Sequence, residues 1–456
     1  MKEFSEEDLR NIEETIERGD TAALKELISD LHPADIAELV QQLDEDKAMY
    51  IFKQLDEDTA ADVLMELDED ERKKLIQDMP AEEIAKQIDH LDTDDAVDLI
   101  QQLDEEDRDE VLSHIDDVEQ AGDIIDLLKY DEDTAGGLMG TEMIVVNENW
   151  SMPECIKQMR LQAEDMDEIY YVYVVDNDYK LRGTLPLKMM LTHPSVSKIK
   201  HVMEDEPVSV KAETPIDEVV LDFEKYDLVA MPVVDSIGRL LGRITVDDVM
   251  DQVREANERD YQLASGISSD VDADDSVIAQ TKARIPWLLI GIGSGLLASI
   301  ILGTFETQLQ AVTALALFIP IIGGTGGNVG VQASAIVVQG LANGTLDIKH
   351  FAAQLGKEII IGLLNATIIT AVVLVYNVLT MPGDLAVTLS VAVSLFIVVM
   401  FASLLGTIVP LTLEKLHINP ALATGPFIQI SNDIVGLLIY VQIATFFLRH
   451  ISGISI

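Results

Sequence analysis

Asp433 is the only charged residue between Ile418 and Leu448, a stretch long enough to cross a bilayer, and it lies near the middle of that stretch beside Asn432. A carboxylate at the centre of a membrane helix costs about 2.5–3.5 kcal/mol on insertion scales, so such a residue faces a polar path instead of lipid. An ionised carboxylate only accepts, which suits a cation as the thing it meets. The first chemistry the chain offers is therefore an ion pathway through a membrane.

A second polar set lies upstream, in the run Pro320 to Gln332, where five glycines fall within eight residues from Gly323 to Gly330. Glycines there fit close helix packing and a pore lining equally well. Asn328 and Gln332, one turn apart, then face neighbouring helices or water and join Asn432 as candidate pore-lining residues. Gly291, Gly293 and Gly295 read as packing residues, and Glu358 reads as half of a local ion pair with Lys357. Enzymatic chemistry is disfavoured. No nucleophile or metal-ligand motif stands out, and the glycine run lacks the following Lys of a phosphate-binding loop.

The third set is acidic. The chain carries a net charge of −50, of which −48 precedes Ile285. That excess disfavours nucleic acid and anionic membrane surfaces as partners and favours divalent cations, although a solvated acidic surface would show the same balance. Leu43, Leu55, Leu67, Met79, Leu91, Leu103 and Ile115 recur every twelve residues, commonly followed by acids such as Asp44-Glu45-Asp46. A fixed period with one helix per unit predicts a small α-solenoid whose helix starts are capped by acids. Capping leaves unexplained why so few bases compensate, so carboxylates such as Asp94, Asp95 and Asp98, spaced to share a helix face, stay open as divalent ligands.

Five apolar stretches, near 285–305, 310–340, 356–380, 385–413 and 420–448, are long enough to span a bilayer. Lys282 and Arg284 precede the first, Lys349 and Lys357 separate the second and third, and Lys415 separates the fourth and fifth. The positive-inside rule puts those loops in the cytoplasm, leaving the base-free connections at Glu306 and at Met381-Pro382-Gly383-Asp384 outside, with Arg449 as the exception. The acidic start MKEFSEEDLR is no signal peptide, so the first 284 residues are expected in the cytosol. Cys155, the single cysteine, reads as a structural thiol. Between solenoid and membrane, residues 171–191 and 230–250 align at an offset of 59, matching Asp176 to Asp235 and Gly183 to Gly242. Each reads as strand, turn, strand, helix. The pair resembles tandem cystathionine β-synthase (CBS) domains, which implies sensing of adenine nucleotides or ions and makes ATP a candidate ligand there.

Four segments in this order, His32-Pro33-Ala34-Asp35-Ile36-Ala37-Glu38-Leu39, Thr134-Ala135-Gly136-Gly137-Leu138-Met139, Pro320 to Gln332, and Asn419-Pro420-Ala421-Leu422 leading to Asn432-Asp433, resemble the MgtE family of magnesium channels over nearly the whole chain. The resemblance implies a multidomain fold: a cytosolic α-solenoid and an α/β tandem CBS pair, followed by an all-α five-helix transmembrane domain. Its divisions would be 1–135, 136–252, a connecting helix at 253–284, and 285–456. It further implies a homodimer in the lipid bilayer of a bacterial inner membrane, N-terminus cytoplasmic and C-terminus outside, conducting Mg2+ between subunits past two copies of Asp433. Cytosolic Mg2+ would close the pore through Asp94 and Asp98 of the solenoid, Asp217 and Asp227 of the second CBS unit, and Asp248, Asp251 and Asp260 of the connecting helix.

Three departures from the family pattern stand out. Asn419 replaces an expected Asp at the cytoplasmic pore end, Ile430 an expected hydroxyl residue one turn from Asp433, and Ala256 and Arg259 expected acids on the connecting helix. Two alternatives stay open: the same fold carrying Co2+ or Mn2+, and a membrane-anchored nucleotide or ion sensor that transports nothing.

Overall fold

After α1 (Glu6–Glu17) and α2 (Thr21–Ile28), each twelve-residue repeat builds one helix of 8 to 10 residues and a tight turn: α3 (Pro33–Gln41), α4 (Glu45–Phe52), α5 (Glu57–Glu66), α6 (Glu69–Gln77), α7 (Ala81–Ile88), α8 (Thr93–Gln101) and α9 (Glu105–Leu112). Helices this short are marginal alone, and their stability comes from stacking. Helix α5 packs on α3 and α7, and α7 on α9. The repeat residues Leu67, Leu91, Leu103 and Ile115 fall just after helices and are buried in one continuous core. The structure, a computed structural model, describes residues 4–451 apart from 78, 164–165, 167–168, 195–196, 270, 272–274, 347–350 and 381–383. Lys349 and Met381-Pro382-Gly383, used above to orient two loops, lie outside the described residues.

The expected acid caps form only in part. Asp56 accepts from the Thr59 amide at 3.1 Å, whereas Asp44, Asp92 and Asp104 cap nothing with their side chains. Asp44 turns instead to Lys47 at 2.9 Å, and Asp92 points toward Arg243 at 3.5 Å. A cationic donor competes well with a neutral amide for the same oxygen.

After α10 (Val118–Leu127), two small sheets follow. In the first, β1 (Ile144–Asn147) lies parallel to β2 (Val172–Val175), β2 is antiparallel to β3 (Leu181–Leu185), and β3 is antiparallel to β4 (Glu204–Asp205), with α11 (Met152–Gln162) between β1 and β2 and α12 (Leu187–Thr192) between β3 and β4. The second repeats this order as β5 (Val210–Lys211), α13 (Ile216–Tyr226), β6 (Ala230–Val234), β7 (Leu240–Thr245) and α14 (Val246–Ser265). The matched glycines occupy matched register sites, Gly183 opposite Val174 and Gly242 opposite Val233. The matched aspartates tie equivalent turns. Asp176 accepts from the amides of Asp178 and Lys180 and from Arg182, and Asp235 from the amides of Ile237 and Arg239 and the Arg239 guanidinium. Those donors hold the Asp176 carboxyl below its usual range. Cys155 is buried and burial pushes its thiol up to about 11, so it is inert at neutral pH.

The chain divides into two compact units, Met1–Val253 and Arg254–Ile456. In the second, five helical segments among the described residues are long and apolar enough to cross a membrane: Val277–Thr304, Thr313–Ala342, Phe351–Thr380, Leu385–Lys415 and Pro420–Ile451. They comprise α15 (Val277–Thr304), the short α16 (Glu306–Ala311) before the second segment, α17 (Ile319–Ala342), α18 (Phe351–Thr380), α19 (Leu385–Lys415) and α20 (Gly425–Ile451). Helix α19 is central and packs on α17, α18 and α20. Small buried residues of α19, among them Ser390, Ser394, Ala402, Ser403, Gly406 and Thr407, allow this close approach.

Two expectations change here. The connecting helix starts at Val246 and stops at Ser265, where Gly266 turns into left-handed φ of 81°, and α15 then begins at Val277 with Ser276 capping the Ala279 amide at 3.2 Å. Glu358 does not sit in a local pair with Lys357. It is only 7 % exposed, pressed by α18 against α19, and accepts the Ser403 hydroxyl hydrogen bond that a buried carboxylate needs.

Candidate cation sites

Asp433 stands on α20 at the wall of a groove of about 1230 Å3 in the second unit. Gly323 and Gly324 of α17 line the same groove, and a β-carbon at Gly323 would come within 3.2 Å of Asp433 Oδ1. The glycine therefore leaves space directly against the carboxylate. Ile430 lines the same groove one turn away, so this stretch of wall is apolar where the family pattern suggests a hydroxyl.

The other glycines of the run serve packing. A β-carbon on Gly326 would strike Val398 of α19, and one on Gly330 would strike Asn432 and Ile428 of α20. Asn432, expected among the pore-lining residues, is 0 % exposed and donates to the Gly326 carbonyl at 3.3 Å. It faces the neighbouring helix because successive residues on a helix point about 100° apart, so Asn432 and Asp433 cannot share a surface. Asn328 and Gln332 are exposed, forming with Gly324 a stripe at four-residue spacing on the outer face of α17.

The cytosolic acids converge differently. One carboxylate oxygen each from Asp92, Asp94 and Glu142 lies within 4.8 Å of the others, a spacing that one divalent ion bound at 2.0–2.6 Å can bridge. Two links assemble this trio. Glu142 accepts from the Thr93 amide and hydroxyl, both at 3.1 Å, and Thr93 Oγ1 accepts from the Thr141 amide at 2.9 Å. Gly140 completes the cradle, since a β-carbon there would lie 2.9 Å from Asp94 Oδ2 and 3.0 Å from Glu142 Oε2.

Burial first, and then the charge of Asp248, drives the Asp94 carboxyl well above its usual range. The same causes push neighbouring Asp95 up to about 7. Asp248 is also raised by burial, even though its Oδ2 accepts from the Thr245 amide at 2.9 Å and from the Thr245 hydroxyl. Asp94 and Asp248, expected to act together, are thus brought into one electrostatic cluster.

Of the remaining candidates, Asp98 adds its charge to the cluster by raising Asp95 further. Asp98 and Asp251 are exposed, on α8 and α14. Asp217 begins α13, and Asp227 ends it with a left-handed φ of 51°, ten residues and about 15 Å away, so no single ion touches both within one chain. Asp260 lies on the last part of α14 and accepts a 2.8 Å hydrogen bond from Asn419. Asp92 and Glu142 escaped the sequence reading. Asp92 precedes α8, so helical spacing does not mark it, and Glu142 follows a turn fifty residues downstream.

Carboxyls raised above their unfolded values take up protons on folding, so this cluster is stabilised at low pH and loses that stability as pH rises, the Asp95 share going as pH passes through about 7. In chelator, amide exchange across Thr93–Gln101 is expected to quicken between pH 6 and pH 8 about tenfold beyond the intrinsic base-catalysed rise, and millimolar Mg2+ should abolish the excess. Hydrogen-exchange mass spectrometry on the full chain reads this directly.

Family comparison finds the MgtE divalent cation transporter domain at residues 319–443, the MgtE intracellular N domain at 31–133, and CBS domains at 135–194 and 199–255. The magnesium transporter MgtE of Thermus thermophilus is 36 % identical over 71 % of this chain and 72 % of its own length, and that of Bacillus subtilis is 32 % identical over 71 % and 72 %. Among solved structures, the cytosolic domain of the Mg2+ channel MgtE in complex with ATP superposes with a TM-score of 0.51 at 31 % identity, covering 54 % of this chain and 99 % of that one. From the acidic helical repeat through the CBS pair to the five apolar helices and the glycine run facing Asp433, this chain is a member of the MgtE family of divalent cation transporters.

Proposed function

We propose that the chain is a magnesium channel of a bacterial inner membrane, a homodimer that passes Mg2+ between its subunits and closes when cytosolic Mg2+ binds the acidic first unit. One observation carries this reading. Gly324 lines the groove holding Asp433 and also begins the exposed stripe Gly324, Asn328 and Gln332, where the two polar side chains cannot be turned to lipid without cost. A two-fold axis beside that face covers it with its own copy and brings a second Asp433 opposite the first. Mg2+ gives up water reluctantly, and a roomy groove with facing carboxylates can hold the hydrated ion through outer contacts.

Gating follows from linkage. An ion that binds the assembled trio of Asp92, Asp94 and Glu142 beside Asp248 better than any loosened arrangement shifts the population toward closure. Asp98, Asp217, Asp227, Asp251 and Asp260 are assigned to further, more exposed ions. The functional parts are residues 1–135, 136–252, a connecting segment at 253–284 that holds the end of α14 and the start of α15, and 285–456, with the N-terminus cytoplasmic and the C-terminus outside, as Lys282, Arg284 and Lys415 favour. The relative solved with ATP supports a nucleotide at the CBS pair, where Tyr170, Tyr171, Tyr173 and Arg243 line a cleft. At about 10 Å3 that cleft must open to admit one.

Gln332→Cys tests the dimer and the path together, because the one native thiol is buried. Oxidation in liposomes is expected to link two copies and to lower Mg2+ entry at least tenfold, with reduction restoring it. A variant that stays monomeric on gels and conducts unchanged after oxidation would rule out the inter-subunit path at α17.

A further inference from the structure

Asn419 is a two-sided residue. Its Oδ1 accepts from the Ala421 amide at 2.8 Å, capping the turn Pro420–Ala423, and this fixes the amide so that Nδ2 donates to Asp260 Oδ1 at 2.8 Å. A carboxylate at position 419 could still cap that turn, but it has no proton to donate. It would set two negative charges about 3 Å apart, an arrangement that needs a cation between them.

The contact is part of a seat. Gly425, with φ of 26°, lies so close to the Ala264 carbonyl that a β-carbon would strike it, and Gly266, with φ of 81°, lies equally close to the Pro426 ring. The end of α14 therefore rests on the head of α20 through two glycines and one hydrogen bond. These same residues, Ala264, Gly266, Gly425 and Pro426, line the groove that holds Asp433.

We infer that the Asn419–Asp260 hydrogen bond is a latch that holds the end of α14 over the Asp433 groove without any cation, so that closure in this chain has a component independent of Mg2+. The inference rests on the groove being the ion path. An exposed amide–carboxylate bond is modest in strength, and its loss is expected to shift the open-to-closed ratio about three- to tenfold. The residual Mg2+ dependence then belongs to the acid trio and the more exposed carboxylates, with Asp260 available to an ion only once the latch is open.

The test uses the full chain in liposomes with chelator or defined Mg2+ inside. Asn419→Ala, Asp260→Ala and the double variant should each raise initial Mg2+ entry into chelator-loaded liposomes by the same three- to tenfold, since the two changes break one bond. Asn419→Asp should raise it as much, and the excess should vanish as internal Mg2+ bridges the two carboxylates, whereas the Asn419→Ala excess should persist. Amide exchange over Leu263–Ile267 should quicken three- to tenfold in Asn419→Ala whether or not the protein conducts. Unchanged exchange there overturns the latch by itself. Variants with wild-type entry, in a chain that still closes with Mg2+, overturn it while leaving the conduction reading intact. Absence of entry in the wild type removes the path reading instead, and with it the gating role of the latch.

Discussion

Asp433→Asn is expected to reduce Mg2+ entry into liposomes at least about a hundredfold while the protein elutes and melts as the wild type does. Asparagine keeps the shape and one acceptor oxygen, and the side chain is only half-buried, so neither a cavity nor a clash results. What changes is charge. Two unit charges 4 Å apart interact by about 4 kcal/mol at an effective dielectric of 20, and a two-fold site loses two such attractions at once. Even if solvent and the ion's own water shell screen most of that, about 2.7 kcal/mol remains enough for a hundredfold change in rate. Asp433→Glu gives a graded counterpart: the charge is kept while the longer side chain moves the carboxylate within the groove, and entry should fall about tenfold. Fluorescent indicator trapped inside the liposomes reads all three rates. Equal rates would remove Asp433 from the path.

The second large effect concerns closure. In Asp248→Ala with Asp251→Ala, the internal Mg2+ needed for half-closure should rise between about 5- and 150-fold, the range of one ordinary coupling energy, leaving the channel open at millimolar Mg2+. Alanine at 248 removes a carboxylate from the electrostatic cluster around Asp94 and also the acceptor for the Thr245 amide and hydroxyl that caps the start of α14. Asp248→Asn separates these contributions, because an amide oxygen still accepts from Thr245 while the charge is gone. If that variant keeps the wild-type Mg2+ dependence, the capping bond and not the cation carries the effect. Initial entry rates at graded internal Mg2+ distinguish the cases.

Much of the architecture was readable from spacing. A twelve-residue period fixes helix length and turn, and its repeat leucines fall where a core must be. Five apolar runs give five membrane helices, because nothing but an internally bonded backbone is stable in lipid. The offset of 59 marks two units whose aspartates tie equivalent turns. What spacing cannot carry is direction. Asn432 and Asp433 are neighbours in sequence, yet one points into the helix packing and the other into the groove. Glu358 stands next to Lys357 but finds its partner on another helix. Asp92 and Glu142 join Asp94 through a backbone turn fifty residues away, and tertiary contact of that kind leaves no periodic trace. The Asn419 departure was visible as an oddity, and its partner Asp260 was not.

Asn432 has one more consequence. Its amide is keyed to a single carbonyl, that of Gly326, in the bare stretch of α17 where no side chain intervenes. A helix packed only through apolar side chains can roll by tens of degrees at little cost, and rolling α20 by 100° would bury the carboxylate and turn the amide outward. The hydrogen bond works as an angular index. It sets the phase of α20 so that the very next residue is aimed at the ion, and it makes Asn-Asp a unit in which order matters as much as composition.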